Sequence, residues 1–235
     1  MKTFSRYDTS ALEEVQFQPG SRERVLKNLL GIKSKRQMDR VEAREQLRAL
    51  EDLVKIYGQT HRFKASDIRK IHKVWLGHVY AWAGQYRMIN LSKGNFPFAA
   101  ARHIPKLMED LEKGPLRKFT PCRYSSLGKI VEAISVVHTE LVLIHPFRDG
   151  NGRVGRLLAI LMALQAGLPP LDFSEIAGKR RMAYFAAVQE GMSGNYGMME
   201  EIFKGVIDRT LKSHGWRRIE QGPLRSPPFF PKQKA

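Results

Sequence analysis

The chain has 235 residues, 43% of them hydrophobic, and its 40 lysines and arginines outnumber 23 aspartates and glutamates to give a formal charge of +17 at pH 7. This length suits one domain with a sizeable core, and the single cysteine, Cys122, excludes an internal disulfide. No apolar run approaches the roughly 18 residues of a membrane helix, and the N-terminus has no apolar signal-peptide core, so a soluble, cytoplasmic protein is expected, with secretion into a host or neighbouring cell left open.

The positive charge by itself favours nucleic acid, an anionic membrane or an acidic protein as partner. The basic residues are spread along the chain, however, and no zinc-finger spacing or other base-reading motif accompanies them. Neither a membrane nor nucleic acid is therefore the expected partner. Nucleic-acid binding is kept as a second functional class, which a salt-sensitive gel shift would test.

The N-terminal part is predicted to be helical after an extension over residues 1–20. Ser21 is predicted to cap a short helix that ends before Gly31. A long charged helix is predicted over 34–57, with its charges on a solvated face. Ser66 is predicted to cap the next helix, whose core-like residues are Ile68, Ile71, Val74, Trp75 and Val79, with His72 structural or exposed.

A hairpin is predicted in the middle of this otherwise helical chain. Residues 86–91 alternate roughly between apolar and polar, Ser92-Lys-Gly-Asn95 is a turn signal, and residues 96–99 can return as a strand. One interpretation is that the hairpin only covers a layer of helices. Helical patterning resumes at Ile104 and continues to Leu116, with proline favourably placed in the first turn.

Two apolar helices are predicted on either side of a polar loop. The first carries the apolar spacing of residues 127–144, and Pro146 disfavours helical geometry at the preceding His145, where this helix should end. The second resumes at Leu157 and stops at Gly167. Further helices are predicted over 174–192, with Met182 facing inward, and through Leu211. The domain is expected to span 21–215, and residues 216–235 form a basic, proline-rich, mobile tail.

The loop His145-Pro-Phe-Arg-Asp-Gly-Asn-Gly-Arg-Val-Gly-Arg156 combines groups that suit phosphate chemistry. Gly150 and Gly152 allow positive backbone dihedral angles, so that successive N–H groups can converge on an anion at a helix start. Arg153 and Arg156 share a helix face and can reach outer phosphates. Asp149, a lone carboxylate beside a phosphate site, suits Mg²⁺. His145 can serve as general base, because its ordinary pKa lies close to working pH.

Two other interpretations of this loop are open. Gly150-Asn-Gly152-Arg-Val-Gly155 also fits the dinucleotide-binding pattern, with an acidic residue, Asp172 or Glu175, about 20 residues on. The helical spacing upstream argues against it, since that pattern requires a strand directly before the turn. The other interpretation makes His145 a core histidine and the arginines a solvated face, although the neighbouring Asp149 and glycines favour a site.

The loop matches the Fic signature His-x-Phe-x-(Asp/Glu)-Gly-Asn-Gly-Arg-x-x-Arg at every fixed position, and the chain resembles the Fic family from about Leu26 to Leu211. The resemblance implies an all-α Fic fold, a helical bundle with one small β-hairpin flap, and AMP transfer from ATP to a Ser, Thr or Tyr hydroxyl of a target protein. It makes Phe147 a core anchor within the nucleotide-binding loop. The implied roles are His145 as base, Asp149 as Mg²⁺ ligand, and Gly150, Asn151, Gly152, Arg153 and Arg156 on the phosphates. The phosphate-transferring Doc branch is disfavoured by Asp149 and Gly152.

The resemblance also bears on target docking and control. Ile89, Asn90, Leu91, Ser92, Lys93 and Gly94 resemble the Fic flap, which in the family aligns the target by strand addition. Fic proteins are commonly restrained by a helix with Ser/Thr-x-x-x-Glu-Gly/Asn, whose glutamate pairs with the last motif arginine. Glu190-Gly191 lacks the Ser or Thr, and Ser10 to Glu14 is followed by Val15. A separate small antitoxin-like protein with a glutamate for Arg156 is therefore expected, with restraint by the N-terminal segment as the competing idea.

Overall fold

The computed structural model describes residues 12–176 and 181–215, whose regular secondary structure is helical apart from one short hairpin and one isolated β-bridge. This confirms the predicted all-α bundle with a single β-hairpin. The strands are β1 (Ser92–Lys93) and β2 (Phe96–Pro97), paired antiparallel with Ser92 opposite Pro97 and Lys93 opposite Phe96. The helices are α1 (Lys35–Ile56), α2 (Ala65–Leu76), α3 (Ile104–Leu111), α4 (Arg117–Phe119), α5 (Leu127–Ile144), α6 (Asn151–Gln165), α7 (Arg181–Glu190) and α8 (Gly197–Ser213).

Helices α5 and α6 form the centre of the bundle, as their apolar sequences predict. Both are buried around most of their circumference, which is the behaviour of a helix that is hydrophobic on every side. Helix α5 packs against α3, α6, α7 and α8, and α2 packs against α1 and α6. The α5–α6 connection therefore joins two helices that are buried along most of their length.

Of the two N-terminal helices, α1 begins where predicted and α2 does not. Helix α1 begins as predicted, with the Ser34 hydroxyl accepting from the Gln37 N–H. The predicted Ser66 cap is wrong, because α2 begins at Ala65 and the Asp67 carboxylate accepts from the Lys64 N–H, 2.9 Å away. The core of α2 is as predicted, with Ile68, Ile71 and Trp75 fully buried.

The predicted short helix after Ser21 is wrong. Residues 17–33 form turns and one isolated β-bridge between Phe17 and Leu26. The Asn28 side chain accepts from the N–H groups of Leu30 and Ile32 and donates to the carbonyls of Leu26 and Ile32. An asparagine that satisfies the local backbone in this way competes with helix formation.

Two further element boundaries were predicted wrongly. The hairpin strands are only two residues each, and residues 86–91 precede them without pairing as a strand. Residues 171–176 are not helical, and α7 as described begins at Arg181, where Met182 is exposed rather than inward. The last helix, α8, covers the predicted segment through Leu211.

The predicted tail, 216–235, and most of the predicted extension lie outside the described residues. Within 12–176 and 181–215, no helix combines the length and the apolar character needed to cross a bilayer.

Candidate active site

His145 follows directly after α5 and adopts a left-handed backbone conformation, with φ 52° and ψ 57°. Its Nδ1 lies 3.1 Å from the Val142 carbonyl oxygen. A carbonyl can only accept, so Nδ1 carries the proton and Nε2 is left with a lone pair. Burial lowers the pKa of His145 to about 4. The imidazole is therefore neutral at physiological pH, with one nitrogen able to accept a proton.

Phe147 and Asn151 hold the loop in shape from within. The Asn151 side chain accepts from the Phe147 N–H and donates to the Phe147 carbonyl, both at 2.8 Å. Phe147 is fully buried. Both polar groups of the Asn151 side chain are thus already bonded to the main chain of Phe147.

Gly150 is the position in the loop that requires glycine. Its φ is +82°, and a Cβ there would lie 2.7 Å from the Trp75 ring. Gly152 does not have the positive φ that was expected, because it lies in the first turn of α6. The N–H groups of a first helical turn have no acceptor within the helix. The start of α6 therefore offers donors and the positive end of the helix dipole to an anion.

His72 contacts the loop through its imidazole ring. Its Nδ1 accepts from the Gly84 N–H at 2.7 Å, so its Nε2 must carry the proton, which points to the Asp149 carbonyl oxygen 3.2 Å away. Its ring stacks on Phe147 with centroids 4.0 Å apart. Burial lowers the pKa of His72 to about 4, so it stays neutral. His72 is the structural histidine that the sequence predicted, in direct contact with the loop.

Asp149 and Arg153 lie together at the mouth of the loop. The Asp149 carboxylate accepts from the Gly150 N–H at 2.6 Å and lies 3.4 Å from Arg153 Nη2. The Arg153 guanidinium sits over the Trp75 ring and forms a salt bridge with Glu42. Burial opposes the charge of Arg153, but the attraction of Asp149 and Glu42 outweighs it and raises the arginine's pKa.

Glu42 contradicts the prediction that the charges of α1 form a solvated face. It is only 2% exposed, and its carboxylate also accepts from the Tyr80 hydroxyl at 2.6 Å. The Glu42 carbonyl accepts from Trp75 Nε1 at 2.9 Å. Helix α1 is thereby joined to the first motif arginine through a buried ion pair.

Arg156 lies one turn further along α6, beside Gly152 and near Tyr184 of α7. Burial lowers its pKa, and the positive charge of Arg153 acts in the same direction. In residues 12–176 and 181–215 no carboxylate forms a salt bridge with it. Tyr184 is itself fixed by a 2.9 Å hydrogen bond to the buried His138.

The hairpin lies over the loop. Its segment Ile89 to Gly94 is partly or fully exposed, and Phe98, just after β2, stacks on the His145 imidazole. Lys93 of the hairpin contacts α7, with its ammonium 3.7 Å from the centroid of the Phe185 ring. The hairpin thus covers His145 and touches α7, while its outer edge remains accessible.

The N-terminal segment contacts the site through Glu14. Its carboxylate accepts from the Met88 N–H and its carbonyl from Arg148 Nε, both at 2.8 Å. Glu14 therefore does not pair with Arg156. Glu190, the other candidate considered from sequence, accepts from the Asn195 side chain.

The residues at the loop mouth fit a magnesium ion. Mg²⁺ keeps several waters and takes one or two carboxylates together with substrate phosphates. Asp149 supplies one half-exposed carboxylate beside the free N–H groups of α6. No cluster of three or more His, Cys, Asp or Glu side chains that could hold a metal occurs in the described part of the chain.

Three residues that contact the site were not predicted from the sequence to do so: Glu42, His72 and Arg87. Arg87 contacts both the hairpin and the loop. No signal in a single sequence separates Glu42 from the other acidic residues of α1. Arg87 lies five positions before β1, and its place between Tyr86 and Met88 is the only hint.

Comparison with known proteins gives consistent matches. The profile of the Fic/DOC family matches residues 62–163. Protein adenylyltransferase VbhT of Bartonella schoenbuchensis is 30% identical over 184 residues, 77% of this chain and 36% of that protein. The protein described as "Probable protein adenylyltransferase Fic" of Escherichia coli (strain K12) is 30% identical over 151 residues, 62% of this chain and 70% of that protein.

Among solved structures, the BepC protein of Bartonella tribocorum with bound AMPPNP matches with a TM-score of 0.68 and 26% identity, over 83% of this chain and 97% of that one. The N-terminal FIC domain of Bep8 from Bartonella sp. 1-1C has a TM-score of 0.67 at 21% identity, covers 80% of this chain and 93% of that one, and supports the fold alone. The chain spans about a third of the length of VbhT and of the Nematostella vectensis protein adenylyltransferase Fic, of which 36% and 33% are covered.

Proposed function

The chain belongs to the Fic/DOC family, and from this membership we propose that it is a protein adenylyltransferase, which transfers AMP from ATP to a Ser, Thr or Tyr hydroxyl of a target protein. The observation that carries the proposal is the neutral His145, with a free Nε2 beside the phosphate-binding start of α6. Several relatives are named protein adenylyltransferases, and BepC was solved with bound AMPPNP.

In this mechanism the target hydroxyl gives its proton to His145 Nε2 as its oxygen attacks the α-phosphorus of ATP. The new oxygen–phosphorus bond forms while the bond from the α-phosphorus to the bridging oxygen breaks, and pyrophosphate leaves. The buried imidazole suits this role, because it is neutral before the reaction. A general base in position contributes ~100 to 10,000-fold to the rate.

The remaining loop residues would bind the nucleotide. We assign the phosphates to the N–H groups at the start of α6, around Gly150 and Gly152, and to the guanidinium groups of Arg153 and Arg156. Asp149 would hold Mg²⁺, which supplies charge neutralisation on the phosphates when bound. Asn151 would contribute its main chain, since Phe147 occupies its side chain.

We assign target docking to the flap, Ile89 to Gly94. Ser92 and Lys93 of β1 are exposed, and β1 pairs with β2 in a two-stranded sheet, so its other side is the edge of that sheet. A strand of the target protein would be held there by main-chain hydrogen bonds. Because the hairpin lies against His145, the target's hydroxyl would then lie near the base.

The test incubates the protein with α-labelled and γ-labelled ATP in a lysate and identifies labelled proteins by mass spectrometry. AMP transfer predicts that the label which depends on His145 comes from the α-position only and that the labelled protein gains the mass of one AMP on a hydroxyl side chain. His145→Ala should retain folding and ATP binding and lose this α-label. Label from the γ-position that is lost in His145→Ala, or α-label that His145→Ala retains in full, would contradict the proposal.

We also propose that a small separate protein restrains the enzyme with a glutamate opposite Arg156, as in a toxin–antitoxin pair. A carboxylate there would compete with phosphate for a guanidinium in a poorly hydrated site, where such bonds are stronger than on an open surface. The position of Glu14, bonded to the Met88 N–H rather than to Arg156, supports an external partner.

Glu14→Gln separates this proposal from restraint by the N-terminal segment. Glutamine keeps the acceptor for Met88 and removes the charge. Self-labelling should not rise, and Glu13→Gln, at the exposed neighbour that pairs with Lys27, is the matched control. A large gain confined to Glu14→Gln would refute the external partner.

The dinucleotide-binding interpretation is wrong. Gly150 to Gly155 follow helix α5, whereas that pattern requires a strand before the first glycine. Nucleic-acid binding stays the alternative function, and a gel shift repeated over a salt series tests it.

A further inference from the structure

Arg87 is a buried arginine that bonds to both the flap and the catalytic loop. It is 2% exposed. Its guanidinium donates to the Ile89 carbonyl at 2.5 Å and to the Ala99 carbonyl at 2.6 Å, the two ends of segment 89–99, which contains the flap and both strands of the hairpin. Its Nε donates to the His145 carbonyl at 2.7 Å, and its own N–H donates to the Pro146 carbonyl at 2.9 Å.

These partners are all neutral carbonyl groups. No carboxylate forms a salt bridge with Arg87 in the described ranges; burial lowers its pKa, and the negative charge of Glu14 acts against that effect. A buried charge without a directly bonded counter-ion is costly unless hydrogen bonds and dipoles compensate it. Part of the compensation comes from the end of α5, where the Ile144 and His145 carbonyls lie at the negative end of the helix dipole. The arrangement stabilises the helix end from which His145 projects.

We propose that Arg87 is a positioning residue that couples the flap to the catalytic base. This inference rests on the proposed adenylyl transfer and deepens it. One planar guanidinium bonds to the Ile89 and Ala99 carbonyls on either side of the hairpin and to the His145 carbonyl. The flap therefore cannot move away from the loop without breaking bonds of the group that also holds His145. Docking a target on the flap therefore positions the base at the same time.

The geometry requires arginine. The guanidinium presents five N–H donors in a fixed plane, whereas a lysine ammonium has three donors on one nitrogen and cannot span three separate carbonyl groups. Arg87→Lys keeps the positive charge and removes the bridge. Arg102→Lys is the matched control, because Arg102 is exposed just beyond the hairpin and donates to its neighbour His103.

The experiment measures hydrogen exchange of amides 88–99, affinity for ATP, and self-labelling from α-labelled ATP across pH. For Arg87→Lys we expect at least tenfold faster flap exchange, ATP affinity within about twofold, and self-labelling reduced ~10 to 100-fold at saturating ATP. The acid limb of the pH profile should move to higher pH as His145 becomes more exposed. Arg102→Lys should match the wild type in all three.

Unchanged flap exchange in a folded Arg87→Lys would overturn the coupling, and so would a parallel loss of ATP affinity and labelling, since that indicates general damage. If wild-type protein transfers no AMP, the proposed function fails, while the exchange measurement still decides the role of Arg87.

If Arg87→Lys does not fold, exchange in the wild-type protein decides instead. The Phe98 N–H donates to the Leu91 carbonyl, and the Arg87 N–H donates to the Pro146 carbonyl. The protection factors of these two amides should lie within threefold of each other. Protection of the Phe98 amide more than tenfold below that of the Arg87 amide would show that the flap opens alone and would overturn the proposal.

Discussion

The Phe98 ring stacks on the His145 imidazole, with centroids 3.6 Å apart and planes inclined by 15°. This contact shields the proposed base from water, and burial is the main cause of its lowered pKa. We expect Phe98→Ala to raise the pKa of His145 towards the ordinary value near 6.5. The acid limb of the rate profile should move upward by about one pH unit or more, and the maximal rate should fall about tenfold as the imidazole loses its orientation.

Phe96→Ala is the control for this prediction, because Phe96 lies in the same hairpin and contacts Phe98 rather than His145. The measurement is the pH dependence of self-labelling at saturating ATP. A Phe98→Ala profile that superimposes on the wild-type profile would show that the stacking has no influence on the base.

Leu91→Pro tests the flap as a docking strand. Proline removes the residue's N–H but leaves the Leu91 carbonyl, which accepts from the Phe98 N–H within the hairpin. Labelling of a protein target should fall much more than affinity for ATP. Asn90→Pro should have the same direction of effect but also removes the side-chain bond to the Ala101 N–H. Similar losses of labelling and ATP affinity in Leu91→Pro would count against docking by strand addition.

Asp149→Asn tests the proposed magnesium ligand. The amide keeps an oxygen for the Gly150 N–H but binds Mg²⁺ more weakly than a carboxylate does. The Mg²⁺ concentration for half-maximal labelling should rise at least tenfold. Asp172→Asn, remote from the loop, should leave the titration unchanged. Identical Mg²⁺ titrations for wild type and Asp149→Asn would exclude Asp149 as the ligand.

Glu42→Gln tests the buried ion pair behind the nucleotide site. Removing one partner of such a pair leaves an uncompensated charge and typically costs ~3–5 kcal/mol. We expect a loss of stability of this order in urea denaturation and about tenfold weaker ATP binding, because Arg153 loses the group that holds it. Glu45→Gln, one turn along α1 in a more exposed ion pair, should have a small effect. Tighter ATP binding in Glu42→Gln would instead show that Glu42 competes with phosphate.

The buried His138 predicts that the free energy of unfolding falls at acid pH. Burial lowers the pKa of His138 to about 4, compared with roughly 6.5 in an unfolded chain. Between these values the unfolded chain binds more protons, so the stabilisation is complete above about pH 6.5 and is lost as pH falls towards 4. His138→Gln should abolish roughly 2 kcal/mol of the stability difference between pH 7.5 and pH 5.

The measurement is urea denaturation at the two pH values. His78→Gln, at an exposed histidine, should keep the wild-type difference. If His138→Gln also keeps it, then His138 does not contribute to acid unfolding.

The sequence by itself determined the features that depend on neighbouring residues. The apolar spacing of α5 and α6 predicts buried helices because a 3.6-residue period places those side chains on common faces. Pro146 and Gly150 predict the break between them, and the twelve-residue motif carries the family. The hairpin was predicted from its turn residues, although its strands are shorter than expected.

Tertiary structure alone decided which charged side chains are buried and what they contact. Glu42 lies among many acidic and basic residues of α1, and only the packing of α1 against α2 and α6 places it on Arg153. Arg87 reaches His145 across 58 positions of sequence. Contacts between distant segments depend on how whole helices pack, and no local pattern of residues encodes them.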